Sequence, residues 1–371
     1  MTLRFLTAGE SHGPSLTAII EGFPSGLPLK PEDINRDLRR RQEGYGRGGR
    51  MKIERDQVQI TGGVIEGQTT GAPLSLAVEN RDWANWKDRQ VPPWTVPRPG
   101  HADLAGSIKY GLTDMRWIAE RASARETTTR VAVGAVCKQM LKRANIEIGS
   151  YVTELGKLAA AIPALPLPEL WALAEESDVR CPDPEAAEAM RCHIDDMRKA
   201  GDSLGGIFVV SAVGVPVGLG SHVHWERRLD GRLAQAVMSI PAIKGIEIGF
   251  AFENARLSGT QVHDRIYLTE SPGLSVTRRT NRAGGLEGGI SNGQPVVIRA
   301  AMKPIPTTVS PLDSVDLTTG KASATQYQRS DVCALPAACI VGEAMVAWVL
   351  ADALIEKFGG DSMTELLRNI A

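Results

Sequence analysis

Aromatic residues are scarce, at 5% of the chain, and there is almost no net charge, with 42 Lys and Arg against 43 Asp and Glu. A bulk binder of nucleic acid or of a membrane surface carries a clear basic excess, so both classes are disfavoured. Any anion binding must come from locally clustered arginines. No C-x-x-C pair occurs. The five cysteines, Cys137, Cys181, Cys192, Cys333 and Cys339, are scattered and make no zinc-like pattern with the six histidines. An odd, dispersed set reads as reduced thiols in the cytoplasm. No G-x-G-x-x-G follows a strand pattern and no G-x-x-x-x-G-K-[ST] occurs, which leaves Rossmann and P-loop sites unsupported. The N-terminus, MTLRFLTAGESHG, lacks an apolar segment of signal-peptide length. The one long apolar run, Cys333 to Leu354, contains Pro336, Glu343 and Asp352. It is expected to be a buried helix of a soluble protein rather than a membrane span.

What is present is a large apolar fraction, 43% of 371 residues, enough to bury a sizeable core. Residues 2–8 and 15–22 read as short strands around the loop Gly9-Glu10-Ser11-His12-Gly13, whose glycines let backbone approach a ligand. A helix is expected from Pro31, with acids in its first turn, ending in Arg39-Arg40-Arg41 before a glycine-rich segment. β-Branched pieces between 58 and 78 predict antiparallel strand. Residues 82–99 hold Trp83, Trp86, Trp94 and four prolines, a loop that could serve as a lid or subunit contact. Ser123-Ala124-Arg125-Glu126 fits the S-x-x-E capping box of a helix running to about Asn145. Strands are expected over 146–160, Ile207 to Val217 and Val296 to Met302. Helices are expected over 168–176, 184–199, Trp225 to Met238 and 361–370. Arg278 to Gly293 reads as loop, and the helix from about 334 to 357 is apolar on nearly all sides, so both its faces should be covered. No βαβ regularity, repeat or linker is visible. One α+β domain over 1–371, with helices layered against antiparallel sheet, is the expected architecture.

Several residues could carry chemistry. His12, on its glycine-flanked loop, is an acid–base candidate, the alternative being an imidazole whose hydrogen bonds serve the loop. His101, in Arg98-Pro99-Gly100-His101-Ala102-Asp103, has the same two readings, and Asp103 could orient the ring or cap the next helix. His222 and His224 alternate on an expected strand but have no third ligand nearby, so no metal is expected. Arg36 to Arg55 carries eight basic residues against three acidic ones. Without aromatic interleaving it suits a small anion better than single-stranded nucleic acid. Arg121, Ser123 and Arg125 stand at a helix start, where free N–H groups favour anions. Arg329-Ser330-Asp331 precedes the long apolar helix, either as an N-cap or as an Arg and carboxylate held at a helix mouth. These residues together imply a small ligand with several negative charges and name no reaction.

The motifs together resemble the chorismate synthase family. GESHG (9–13), LRRRQEGYGR (38–47), RPGHAD (98–103), KYGLTD (109–114), the block from 121 to 136, GGLEGGISNG (284–293), MKPIPT (302–307) and RSDVCALPA (329–337) occur in the family's order. The resemblance implies a lyase that converts 5-enolpyruvylshikimate 3-phosphate to chorismate by anti-1,4-elimination of phosphate, the last step of the shikimate pathway. It implies reduced FMN (FMNH2) as cofactor without net redox change, and a single-domain β-α-β sandwich with central buried helices between antiparallel sheets. It also implies a cytoplasmic homotetramer. The compact chain, without the insertions of bifunctional fungal members, implies dependence on an external flavin reductase, with NADPH as an indirect reductant. A non-catalytic flavin- or phosphate-binding protein and an NADPH-dependent flavin reductase are the rival readings.

Carried over position by position, the resemblance assigns His12, His101 and Asp331 as catalytic. It assigns Arg41, Arg50, Arg98, Ser123, Arg125 and Arg329 to the substrate. Flavin contacts fall on Arg121, Ala122, Ser123, Pro241, Ala242, Gly288, Lys303, Pro304, Ile305, Pro306, Thr307 and Arg329, and Arg41 and Arg47 match positions associated with NADPH. Pro241 departs from the family's frequent Asn or Gln and has neither side-chain amide nor N–H, so a contact there would use its carbonyl or Ala242.

Overall fold

Two antiparallel sheets face each other across a layer of helices. The computed structural model describes residues 3–49, 53–269, 276–328 and 330–371. In the first sheet β1 (Arg4–Ala8), β2 (Ser15–Glu21), β3 (Val58–Gly62) and β4 (Leu74–Glu79) lie in the order β1-β2-β4-β3. The second contains β5 (Glu147–Leu155), β6 (Leu158–Ala159), β7 (Gly206–Val213), β8 (Ile243–Ile248) and β9 (Val296–Met302), ordered β8-β9-β7-β5-β6. Every pairing within these two sheets is antiparallel. β9 alternates fully buried and half-buried residues along its length, the period-two pattern of a strand with one face on the core.

The helix layer is built from α1 (Pro31–Gln42), α4 (Thr127–Arg143), α7 (Leu229–Met238) and α8 (Leu335–Phe358). Outside it lie α2 (Asp103–Tyr110), α3 (Met115–Ala122), α5 (Leu167–Glu176), α6 (Pro184–Ala200) and α9 (Met363–Ile370). α4 packs on α8, α1, β2 and β4, whereas α8 packs on β5, β7 and α7. The two central helices touch backbone to backbone: a Cβ on Gly134 would lie 2.3 Å from Ala344 Cα. α8 is apolar enough and long enough to cross a bilayer, but most of it is buried inside the fold. One continuous apolar cluster runs through both sheets and the helices between, from Leu3 to Leu366.

The acid in α8 is explained by its partners. Glu343 is fully buried and is met by Arg40 Nη1 at 2.8 Å, Lys138 Nζ at 2.6 Å and Ser150 Oγ at 2.5 Å. Burial alone would raise its pKa, but Arg40, Lys138 and Arg180 together hold the carboxyl well below the usual carboxylate range. Asp37 shares Lys138 at 2.6 Å, so α1, α4, β5 and α8 are tied through one ionic cluster.

Several local expectations are corrected. Ser123 caps a short 3₁₀ turn, Ala124–Glu126, by accepting from the Arg125 N–H; Glu126 does not reach back, but pairs with Arg130 at 2.9 Å. His222 and His224 lie on bends, not on a strand. Strand β7 stops at Val213, where Gly214 takes a positive φ, rather than at Val217. The loop 278–293 contains a small hairpin pairing Leu286–Glu287 with Ile290–Ser291. The expected helix from Trp225 starts as a separate 3₁₀ turn, Trp225–Arg227. Neither Ser330 nor Asp331 caps α8, whose N-cap is Ala334.

Candidate active site

The Gly9–Gly13 loop joins β1 to β2. Gly9 has φ +106 and a Cβ there would lie 2.4 Å from the Ser15 carbonyl oxygen, so the turn needs glycine. Asn80, just after β4, donates from Nδ2 to the carbonyls of Glu10 (3.1 Å) and Gly13 (2.8 Å). Ser11 donates its N–H to the Glu120 carbonyl at 3.0 Å and its hydroxyl to Ser123 Oγ at 3.1 Å. His12 Nδ1 lies 2.7 Å from Glu120 Oε1, and its ring stacks on Trp86 with centroids 3.9 Å apart.

His101 is also held by a carboxylate. Asp103 Oδ1 lies 2.5 Å from His101 Nδ1, and Asp103 accepts from Arg98 Nε at 2.7 Å and Nη2 at 2.9 Å. Burial opposes ionisation of Asp103, yet His101 and Arg98 outweigh it and push its pKa down. Nδ1 of His101 faces both Asp103 Oδ1, which only accepts, and Arg98 Nη2 at 3.1 Å, which only donates, so Nε2 is the ring atom left to act on a ligand. Arg98 Nη1 also donates to Thr307 Oγ1 at 3.3 Å, which brings the Lys303–Thr307 segment to this wall. Ile305 is pinned through its carbonyl by Ser203 Oγ at 2.7 Å, and Pro306 lies beside Gly100. Pro304 precedes both, its ring fixing φ at the entry to this segment. Burial, and after it the neighbouring Lys244, push the Lys303 ammonium down.

The arginines form a third wall. Arg125 Nη1 sits 2.6 Å from Asp56 Oδ1, and its Nε donates to Asn80 Oδ1 at 2.8 Å. Arg41 shares Asp56 at 3.5 Å, and donates to Thr127 Oγ1 at 3.0 Å and to the Ala124 carbonyl at 2.9 Å. Burial, Arg125 and Arg47 push the Arg41 guanidinium down to about 9, which leaves it cationic at neutral pH. Arg47 Nη1 lies 3.4 Å from Asp331 Oδ2, and Asp331 Oδ1 accepts the Gly48 N–H at 2.6 Å. Arg121 is half exposed and donates to Thr7 and Gly9 carbonyls at 2.9 and 3.1 Å, so Arg121 and Ala122 at the end of α3 adjoin the His12 loop. Arg50 and Arg329 lie outside the described residues.

Not every assigned residue converges. Ala242 adopts φ +69 and its carbonyl accepts the Lys303 N–H at 2.9 Å, so Pro241–Ala242 adjoin the Lys303 wall but that carbonyl is engaged by backbone. Gly288 is exposed in the hairpin turn beside the N-terminus of α7, where Gly289 accepts the Leu229 N–H. Pro241 follows the other end of that helix, and ten residues at 1.5 Å each separate the two by about 15 Å. Sequence reasoning missed Glu120, Asn80, Asp56 and also Glu54, whose Oε2 lies 3.6 Å from Arg125 Nη2. Their types are ordinary, and only contacts between distant segments reveal them. Among the described residues no group of His, Cys, Asp and Glu is arranged to hold a metal ion.

Comparison with known proteins gives the family. The sequence model described as chorismate synthase matches residues 3–355. This chain belongs to the chorismate synthase family. It is 54% identical over 381 residues to the chorismate synthase of Pelobacter propionicus, covering 99% of this chain and 97% of that one. It is 55% identical over 382 residues to that of Aquifex aeolicus, covering 98% and 95%. A crystal structure of chorismate synthase superposes with a TM-score of 0.81 at 46% identity, over 100% of this chain and 96% of the other. The α+β architecture, the lyase activity and a small-molecule substrate follow from this membership, and the rival readings as a passive flavin binder or flavin reductase gain nothing from it.

Proposed function

We propose that the three walls bind 5-enolpyruvylshikimate 3-phosphate and reduced FMN together and eliminate phosphate to leave chorismate. The observation that carries the residue assignment is the linkage of cations to imidazole: Arg125 is joined through Asn80 to the loop bearing His12. A phosphate and two carboxylates on the substrate call for several fixed cations in a water-poor pocket, where charge-assisted contacts are strongest. Arg41, Arg98 and Arg125 are such cations, and Arg50 and Arg329 are assigned to the same task. Ser123 marks the junction between substrate and flavin. His12 and His101, each held by its Nδ1, present Nε2 for proton transfer, and Asp331 holds a carboxylate beside Arg47.

Reduced FMN, when bound, would supply electron density to help the phosphate depart and recover it afterwards. The crowded Lys303, which an anion would relieve, fits a phosphate-bearing cofactor, as do Arg121, Ala122 and the Pro304–Thr307 path. Gly288 stands apart from these. A homotetramer is supported by apolar side chains left in water: Leu6 and Ile19 lie directly opposite each other on β1 and β2 and are exposed. A single catalytic domain is supported by the continuous core. A cytoplasmic location, with reduced flavin supplied by a separate reductase drawing on NADPH, completes the reading.

The test is anaerobic turnover of the substrate with dithionite-reduced FMN, wild type against His101→Ala and Asp331→Ala. Loss in both variants is expected. Equal turnover in all three would sink the residue assignment, and no turnover by the wild type would sink the function.

A further inference from the structure

We propose that Glu120 is a positioning residue that fixes the tautomer and orientation of His12. Three contacts carry this. Glu120 Oε1 lies 2.7 Å from His12 Nδ1, Glu120 Oε2 accepts the His12 backbone N–H at 2.7 Å, and the Glu120 carbonyl accepts the Ser11 N–H at 3.0 Å. One residue of α3 therefore holds both the ring and the backbone of the residue that bears it. The opposite restraint is the face of Trp86, stacked on the imidazole at an interplanar angle of 29°. Between a bidentate carboxylate and an indole face the ring has one orientation left. Because a carboxylate accepts and cannot donate, the neutral ring carries its proton on Nδ1 and offers a lone pair at Nε2. The geometry matches that of His101 with Asp103, but the origin differs. Asp103 is two residues from its histidine and also serves Arg98, while Glu120 reaches His12 from 108 residues away. The inference rests on the proposed role of His12, but its first test does not.

Nitrogen-15 spectra of the histidine rings in the wild-type protein, taken up the pH scale until His12 is neutral, read the tautomer directly. The expected result is a protonated Nδ1 and a bare Nε2. A neutral His12 protonated at Nε2 would overturn the proposal without touching the family function. Glu120→Gln places an amide NH2 or carbonyl against Nδ1, so the tautomer becomes inverted or mixed, while the His101 resonances stay put and certify the fold. In anaerobic turnover, kcat should fall by roughly 10²- to 10⁴-fold with little change in KM, the range for misplaced acid–base groups. Glu120→Asp, which keeps the carboxylate, should recover part of it. A Glu120→Gln protein in which His12 keeps its proton on Nδ1 and kcat is unchanged would also overturn the proposal, and if that variant fails to fold, the wild-type spectrum alone decides it.

Discussion

Arg40 and Arg41 are neighbours in sequence and serve different halves of the molecule. Arg40 reaches inward to Glu343 on the central helix, whereas Arg41 reaches Thr127, Ala124 and Asp56 in the anion site. Consecutive helical residues differ in direction by about 100°, so one turn of α1 fastens to the core and aims a cation at the proposed ligand site. The anion site thus inherits its geometry from a buried ionic cluster it does not touch.

That cluster should be costly to break. Glu343→Gln leaves Arg40, Lys138 and Arg180 without their shared carboxylate, and removing one partner of a buried pair costs about 3–5 kcal/mol. A fall in Tm of several degrees is expected by calorimetry at neutral pH. A variant as stable as the wild type would show the cluster to be energetically idle.

The same carboxyl sets a pH dependence. Its folded pKa is depressed, first against burial and then by Arg40, Lys138 and Arg180. Its contribution to stability is therefore fully present above the unfolded carboxyl value, about 4.3, and is lost as pH falls from there through the folded value. Tm measured from pH 6 downward should decline less steeply in Glu343→Gln than in the wild type; parallel curves would assign the acid sensitivity elsewhere.

Asp56 should act on binding more than on chemistry, because it spans Arg125 at 2.6 Å and Arg41 at 3.5 Å. Asp56→Asn keeps the shape and removes the charge that holds both guanidiniums. Each charge-assisted hydrogen bond is worth roughly 1.5–3 kcal/mol, so KM for the substrate should rise about 10-fold or more. Steady-state kinetics with reduced FMN checks this, and an unaltered KM would remove Arg41 and Arg125 from the substrate site.

Asp103→Ala releases His101 and Arg98 together. The expected outcome is a kcat lowered by about 10²-fold or more, from the freed imidazole. KM should rise as well, since Arg98 loses both of its side-chain bonds to that carboxylate and the one from its backbone N–H. Kinetics that resemble the wild type in both constants would make the Asp103 contact merely structural.

At the crossing of the central helices two effects oppose each other. Gly134→Ala gains helix propensity, about 1 kcal/mol at most. The new Cβ would meet the Ala344 backbone at 2.3 Å, and overpacking a tight core costs about 1–3 kcal/mol. The clash wins, because a backbone atom cannot swing aside as a side chain can. Thermal unfolding should show a lower Tm, and a rise would mean that α4 and α8 separate more easily than their packing suggests.

Periodicity and punctuation in the sequence determined most elements by themselves. β9 spans Val296–Met302 as its alternation predicts, and α6 starts at Pro184 behind the Asp183 cap. The covered faces of α8 were also legible, because an all-round apolar helix has nowhere else to go. His12, His101 and the arginines stood out through residue type and motif, which are local properties. Their partners did not. Glu120 against His12, Asp56 between two arginines and Asn80 beneath the Gly9–Gly13 loop are common residues whose meaning lies in contacts across tens to a hundred positions. The capping box at Ser123 failed for the same reason: Glu126 has Arg130 one helical turn away, and a full charge outcompetes a backbone N–H. Sequence sets which groups can do chemistry, since that depends on the side chain alone. Only the packing of sheet on helix decides which two of them meet.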